Sequence, residues 1–482
     1  MPATTPDPRR WKALWIIAIA QFLVIMDTSI IGVALPDIQR GLGFSQADLS
    51  WVFNAYVVAF GGLLLLGGKL SDVFGPRKVF SAGFGLLLAG SLVAGLAETS
   101  SVEIAGRAIQ GAAAALIAPA ALTLLMVLFS HDGKELTKAM GLYGAAAPAG
   151  GTAGVFLGGV LTDGLDWHWT LLINVPLAIA VLIAAPRLLP VGPTQRGRID
   201  LAGALTATLG LAATVFGIVR ANEVGWGSSA TLLTLAGGIA ALVAFVAIQA
   251  TRRDPLMPLS VFRIPNLASA NVVMALLGAA WIPMWFIANL WLQQVLGLGA
   301  FAAGAALVPM TVLIMVVMVG VVGRVIARFG LKVPMVAGLA ILSVGIALFA
   351  TVPSDGGGYA SAFLPASLVA ALGMSLTFIP AMMAAIGAAP PEQAGLASGI
   401  VNTTYQVGSA LGLAAITALA LANGADQLGN PAALTDGFHA AFYGAAGIAL
   451  AAGLIALATV RVPRAASEPI EAAPERELAQ AA

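Results

Sequence analysis

Apolar positions along this chain come in long unbroken runs instead of alternating stripes. They lie near 13–36, 50–69, 79–97, 103–129, 138–161, 169–189, 201–220, 229–250, 267–292, 300–323, 333–352, 360–386, 395–421 and 438–461. A helix that crosses a bilayer needs about 20 such residues. The pattern therefore predicts an all-α polytopic membrane protein with about fourteen spanning helices. The most polar stretches are Pro190–Asp200, Thr251–Pro265, Pro353–Gly358, Asn423–Asp436 and the tail after Arg461. None is long enough to fold as a soluble domain.

The cations test that count. With the N-terminus in the cytoplasm and a crossing at every run, the inner face receives Arg9, Arg10, Lys12, Lys69, Arg77, Lys78, Arg252, Arg253, Arg324, Arg328 and most of the rest. The outer face receives only Arg40 and Arg220. The positive-inside rule demands this asymmetry, and a missed helix would reverse it downstream. Both termini are expected in the cytoplasm of a bacterial cell, with the chain in its inner (plasma) membrane. The first run follows Arg9, Arg10 and Lys12 and has no small-residue cleavage site before Asp37, so it reads as a retained helix.

Composition agrees and narrows the chemistry. Of 482 residues, 59% are hydrophobic and 9% charged, against about 25% charged in soluble domains. There is no cysteine, and the net charge is +1. Disulfides, thiolate catalysis and iron–sulfur ligation are excluded, and nothing points to nucleic acid. His131, His168 and His439 fall in separate loops or helix ends, which suggests neither a metal centre nor a cofactor.

The chain also repeats itself weakly. Gly68–Lys78 joins the second and third helices, and Gly323–Lys332 joins the tenth and eleventh. Both carry glycine at the same two offsets, followed by cations. Duplicated halves suit a transporter that rocks about a central site. The expected organisation is a six-helix bundle over 1–190, an inserted helix pair over 191–263, a second six-helix bundle over 264–462 and a cytoplasmic tail over 463–482.

These features resemble the major facilitator superfamily, and within it the fourteen-helix drug:proton antiporter branch. Four motifs carry the resemblance, in order along the chain. Met26-Asp27-Thr28-Ser29-Ile30-Ile31-Gly32-Val33-Ala34-Leu35-Pro36 is similar to the branch's helix-1 signature. Gly68–Lys78 resembles the superfamily's hallmark loop. Arg107-Ala108-Ile109-Gln110-Gly111 resembles its proton-coupling motif, and the helix bearing Gly144, Pro148, Gly154, Gly158 and Gly159 resembles its antiporter motif. The chain departs from the pattern at Val73 and Pro76, where a cation is usual, at Val155, where proline is usual, and at His168, where arginine is usual. The resemblance implies the major facilitator fold, with helices 1 and 4 lining a cavity. It also implies a conformational latch at Asp72, Arg77 and Lys78.

Asp27 is the focus of the chemistry. A carboxylate in mid-span costs about 2.5–3.5 kcal/mol on insertion scales and is usually retained for function. Counted along their helices, Asp27 and Arg107 lie at similar depth, and Gln110 shares a helix face with Arg107. Asp27 is expected to couple protons or to bind a cationic substrate, with Arg107 and Gln110 tuning it. The alternative is a structural ion pair between the two helices. No other acid is expected deep in a span; Asp163, Asp166 and Glu223 fall just beyond their helices. Neutral groups face the site from elsewhere. Trp281, Trp285, Asn289 and Gln293 recur at spacing four on helix 9, Asn402, Tyr405 and Gln406 lie on helix 13, and Asn54 and Asn174 are on helices 2 and 6. An aromatic and amide wall opposite one carboxylate suits a bulky lipophilic cation, and monovalent or neutral substrates over divalent ones. Each amide could instead make an interhelical hydrogen bond, and each tryptophan could be an interfacial anchor.

No Walker phosphate loop is present, since Gly68-Lys69-Leu70 lacks the preceding glycine and the following Ser/Thr. Energy would then come from an ion gradient, and the resemblance implies that the ion is the proton. The expected function is proton-coupled export of hydrophobic, cationic or neutral drugs by alternating access, by a possible monomer and without enzymatic activity. The alternatives are a dedicated exporter of a lipid, peptide or self-made metabolite, a passive channel, or a membrane-embedded enzyme.

Overall fold

The computed structural model describes residues 9–129, 133–192, 194, 199–253, 255–264, 266–353, 359–386 and 394–461. His131 and the tail 463–482 lie outside them. Among the described residues there is no β-strand. Fourteen helices are long and apolar enough to cross a membrane, as the hydrophobic runs predict. They are α1 (Arg10–Leu42), α2 (Asp48–Phe74), α3 (Pro76–Gly95), α4 (Ser100–Phe129), α5 (Leu142–Gly164), α6 (Trp169–Leu188) and α7 (Leu201–Ala221). The series continues with α8 (Ser229–Thr251), α9 (Leu267–Val295), α10 (Ala300–Gly320), α11 (Lys332–Phe349), α12 (Tyr359–Ala385), α13 (Gly399–Ala425) and α14 (Pro431–Thr459). In lipid a helix satisfies its own backbone, which is why the spans are helical throughout.

The first and last six helices pair in the same way. The extensive contacts of α1 with α5, α2 with α4 and α3 with α4 and α6 recur as α9 with α13, α10 with α12 and α11 with α12 and α14. Two further pairings join the sets, α5 with α10 and α2 with α13. The inserted pair α7 and α8 is held mainly through α7, which lies along α2 and α13. Much of α8 is exposed, including Leu233, Ile239, Val243 and Val246, as suits a helix facing acyl chains.

Small residues set how closely the helices approach, since lipid removes the hydrophobic drive between them. Gly150, Gly154 and Gly158 form a ridge at spacing four on α5. A Cβ built on them would lie 2.4, 2.8 and 2.6 Å from the carbonyl oxygens of Phe22, Met26 and Ile30 on α1. Gly408 and Gly412 of α13 repeat this against Ala275 and Ala279 of α9. Gly159 turns the other way and packs on Phe301 at the start of α10. Gly144 meets nothing within 4 Å, so it takes no part in the ridge. Pro148 lies within a continuous helix, Gly133–Gly164.

The end of the bundle remote from the start of α1, termed distal here, is bridged between the two helix sets. Gln46 donates to Gln294 (3.2 Å), Gln294 donates to Gln39 (3.1 Å), and Gln39 donates to Gln46 (2.9 Å). Gln293 donates to the Val33 carbonyl (2.8 Å). Asp163 accepts from the backbone N–H groups of Ala300 (3.2 Å) and Phe301 (2.7 Å), capping α10 from α5. The apolar core of the second set runs on into Ile31, Leu35 and Phe53 of the first.

Candidate functional site

Asp27 is 1% exposed on α1, and Arg107 is fully buried on α4. The Nη1 of Arg107 donates to Oδ2 of Asp27 at 2.7 Å. Gln110 Nε2 donates to Oδ1 at 3.1 Å, and Asn174 Nδ2 to the same oxygen at 2.6 Å. Asp27 therefore accepts three hydrogen bonds. Helix geometry produces this convergence. Gln110 stands one turn from Arg107 on α4, so both face α1, while the short pairing of α1 with α6 brings in Asn174 from the third side.

The guanidinium is held as firmly as the acid. Arg107 Nε donates to the Val52 carbonyl (3.0 Å), Nη1 also donates to Gln110 Oε1 (2.8 Å), and the Tyr56 ring lies 4.7 Å beneath it. Gln110 Nε2 also reaches Ser91 Oγ at 2.9 Å on α3. A buried ion pair survives only when its remaining valences are met in this way. Two groups are left over. Arg107 Nη2 and Asn174 Oδ1 are buried without a hydrogen-bond partner.

The structure adds a buried acid that the sequence reading did not single out. Glu103, in the first turn of α4, is fully buried, and neither carboxyl oxygen has a hydrogen-bond partner. An acid in a helix's first turn ordinarily complements the macrodipole from the surface, so position alone did not distinguish it. Close packing of α3 on α4, where a Cβ on Gly106 would lie 2.6 Å from Ala94, encloses that turn. The signal available in the sequence was the i, i+4 spacing of Glu103 and Arg107. Asp200, at 4% exposed, is buried too, but it caps the start of the inserted pair.

The remaining expected residues are spread over α2, α6, α9 and α13. Asn174 joins Asp27 and faces no open wall. Asn54 and Asn289 are fully buried; the first donates weakly to Ser50 Oγ (3.5 Å) and the second to the Trp285 carbonyl (2.9 Å). Trp281 and Trp285 are 8% and 9% exposed, while Asn402, Tyr405 and Gln406 are half-buried on α13. Gln293 lies in the π-helical turn that ends α9, Trp291–Val295. Gln293 and Gln294 line a distal vestibule of about 600 Å3 with Asp37, Arg40 and Asp163. The expected latch residues lie at the junction of α2 and α3. Arg77 donates to the Leu189 and Pro186 carbonyls at the end of α6 (3.2 and 3.5 Å), while Asp72 and Lys78 are exposed.

Comparison with known proteins identifies the family. The sequence profile of the Major Facilitator Superfamily matches residues 17–413 and again 285–481. The chain belongs to the major facilitator superfamily. The cephamycin export protein CmcT of Amycolatopsis lactamdurans is 40% identical, over 92% of this chain and 91% of its own. The puromycin resistance protein pur8 of Streptomyces alboniger is 37% identical, over 94% and 91%. The tetracenomycin C resistance and export protein of Streptomyces glaucescens is 32% identical, over 87% and 77%. The nucleoside transporter NupG superposes with a TM-score of 0.65 over 93% of this chain and 100% of that one, at 15% identity. A peptide transporter, POT, gives 0.66 over 93% and 94% at 16%. These two likenesses speak to the fold. The protein is thus a multi-pass membrane transporter of the fourteen-span drug-exporter branch, and not an enzyme.

Proposed function

We propose that this protein exports hydrophobic, cationic or neutral antibiotic-like compounds from a bacterial cell in exchange for protons, with Asp27 as the coupling carboxylate. The observation that carries the reading is the buried carboxylate held by Arg107, Gln110 and Asn174. A charge network this deep is costly, and charged groups in a span are usually retained for a function. Protonating Asp27 removes acceptor capacity from that network and loosens α1 from α4 and α6, which links proton loading to helix movement. The bundle sits in the plasma membrane with both termini in the cytoplasm, so the bridged distal end faces outward. Its two halves are 1–190 and 264–462, with 191–263 inserted. Trp281, Trp285, Tyr405, Gln406 and Asn402 supply the aromatic and amide wall for substrate. Arg77, bound to the end of α6, acts with Asp72 and Lys78 as the inner latch.

The test is export of puromycin by cells carrying the wild type or Asp27→Asn, with and without a collapsed proton gradient. The variant is expected to lose gradient-driven export while still reaching the membrane. Undiminished, gradient-dependent export by Asp27→Asn would rule out the coupling role. Flux in the wild type that survives collapse of the gradient would indicate a channel.

A second reading is a dedicated exporter of one antibiotic. It is favoured by the 40% identity to a protein named for cephamycin export. A susceptibility panel of cephamycin, puromycin and tetracenomycin C separates the two: protection against one compound alone supports the dedicated exporter.

A further inference from the structure

Glu103 carries a role that the Asp27 network leaves unassigned. Both of its carboxyl oxygens are buried and unpartnered, and so is Nη2 of Arg107, one helical turn further along the same face. An acceptor pair and a donor, each unsatisfied, thus stand at i and i+4, the spacing at which side chains on a helix meet. Helical side chains lean towards the N-terminus, so a rotamer change of Arg107 can carry its Nη2 to the Glu103 turn. The charges that act on Glu103 are Arg107 on its own helix and Asp27 across from α1. Natural structures seldom leave buried polar atoms unpaired, and those that remain call for an explanation.

We infer that Glu103 is a second proton carrier, on the distal side of the Asp27 site, and that Arg107 alternates between the two carboxylates. This rests on the proton-exchange reading above. In the distal-bridged conformation Glu103 is the neutral acid and Arg107 pairs with the Asp27 carboxylate. The proton then passes from Glu103 to Asp27, breaking an O–H bond on one carboxyl and forming one on the other. Arg107 releases Asp27 and its free Nη2 takes up the Glu103 carboxylate. The charges of Glu103, Arg107 and Asp27 sum to zero before and after, so the transfer moves no net charge into the apolar interior. A hydronium ion arriving from the distal face reprotonates Glu103 and leaves as water, and Asp27 gives its proton to a water on the opposite face.

The experiment uses the full chain in proteoliposomes with puromycin as probe. Counterflow, the exchange of labelled for unlabelled puromycin without a pH gradient, needs no net proton movement; uphill transport under a pH gradient does. Glu103→Gln matches the neutral acid in shape and hydrogen-bonding capacity. It is expected to keep counterflow to within about threefold and to lose uphill transport by about tenfold or more. Glu103→Asp, which retains a transferable proton, is expected to recover part of that loss. The infrared difference spectrum on puromycin binding is expected to contain a carboxylic-acid C=O band that Glu103→Gln removes. A purely packing role predicts no change in uphill transport or in that band, and either result overturns the inference. So does loss of counterflow and uphill transport together in Glu103→Gln. A wild type that ignores the gradient sinks the coupling reading and this inference with it. Gradient-driven transport in the wild type, matched in full by Glu103→Gln, sinks this inference alone.

Discussion

Gly32 lies directly beneath Trp285: a Cβ added at Gly32 would sit 2.0 Å from Cζ3 of the indole. This contact joins α1 to α9 between Asp27 and the glutamine bridge. Phe53 completes it edge-on to Trp285 at 6.3 Å. Overpacking of this kind typically costs about 1–3 kcal/mol. Gly32→Ala should therefore lower the melting temperature and reduce puromycin export. Adding Trp285→Ala makes room for the methyl group, so the double variant should be no less stable than Trp285→Ala alone. Thermal unfolding of the purified proteins checks this, and strictly additive losses would count against it.

Asp163 reaches from α5 to the first backbone N–H groups of α10. A carboxylate at a helix N-terminus contributes about 0.3–1 kcal/mol when exposed. Asp163→Ala should shift the population towards separation of the two helix sets at the distal end. The chain lacks cysteine, so introduced pairs report cleanly. Oxidation of Gln46→Cys/Gln294→Cys should give less cross-link with Asp163→Ala than without it. An unchanged yield would show that the cap does not hold the ends together.

Asp200 ties the two ends of the inserted pair. Its Oδ1 accepts from Gly203 N (2.9 Å) and its Oδ2 from Gln249 Nε2 (2.9 Å), while Gln249 Oε1 accepts from Met257 N (3.0 Å). Loss of a helix cap typically costs about 0.5–2 kcal/mol. Asp200→Ala should destabilise the chain by at least that much, and Asp200→Asn by less because the cap acceptor remains. Protease nicking between Pro190 and Asp200 should rise in the same order.

Asp166 lies between α5 and α6. Burial pushes its carboxyl up, but hydrogen bonds from the His168 backbone and ring, with the His168 charge, outweigh this and hold it below its usual value. A lowered acid contributes stability that is complete above its unfolded pKa, about 3.9, and is lost as pH falls through the folded value. His168→Ala should therefore leave the pH profile of transport unchanged above pH about 5. A shifted profile in that range would mean that His168 itself takes part in coupling.

The sequence showed the spans and the Asp27–Arg107 pair because both follow from simple counting: apolar run length gives the helices, and depth along two helices of opposite direction gives the pair. Asn174 could be read as a polar group in a span but not as a partner of Asp27, since that depends on how α6 lies against α1. Glu103 escaped notice because one more acid in a first turn looks ordinary until a neighbouring helix covers it. The bond from Gln293 to the Val33 carbonyl could not be read either, because the π-helical turn Trp291–Val295 is marked by no glycine or proline. Gln39 and Gln46 look like any polar residues at a helix end, and their value comes only from Gln294 arriving some 250 positions later.

The triangle of Gln39, Gln46 and Gln294 has one further effect. Amides carry no formal charge, so ionic strength and acidity have little grip on the fastening they make. Salt and acid therefore leave this clasp in place, and control of its release falls to the charged groups deeper in the protein.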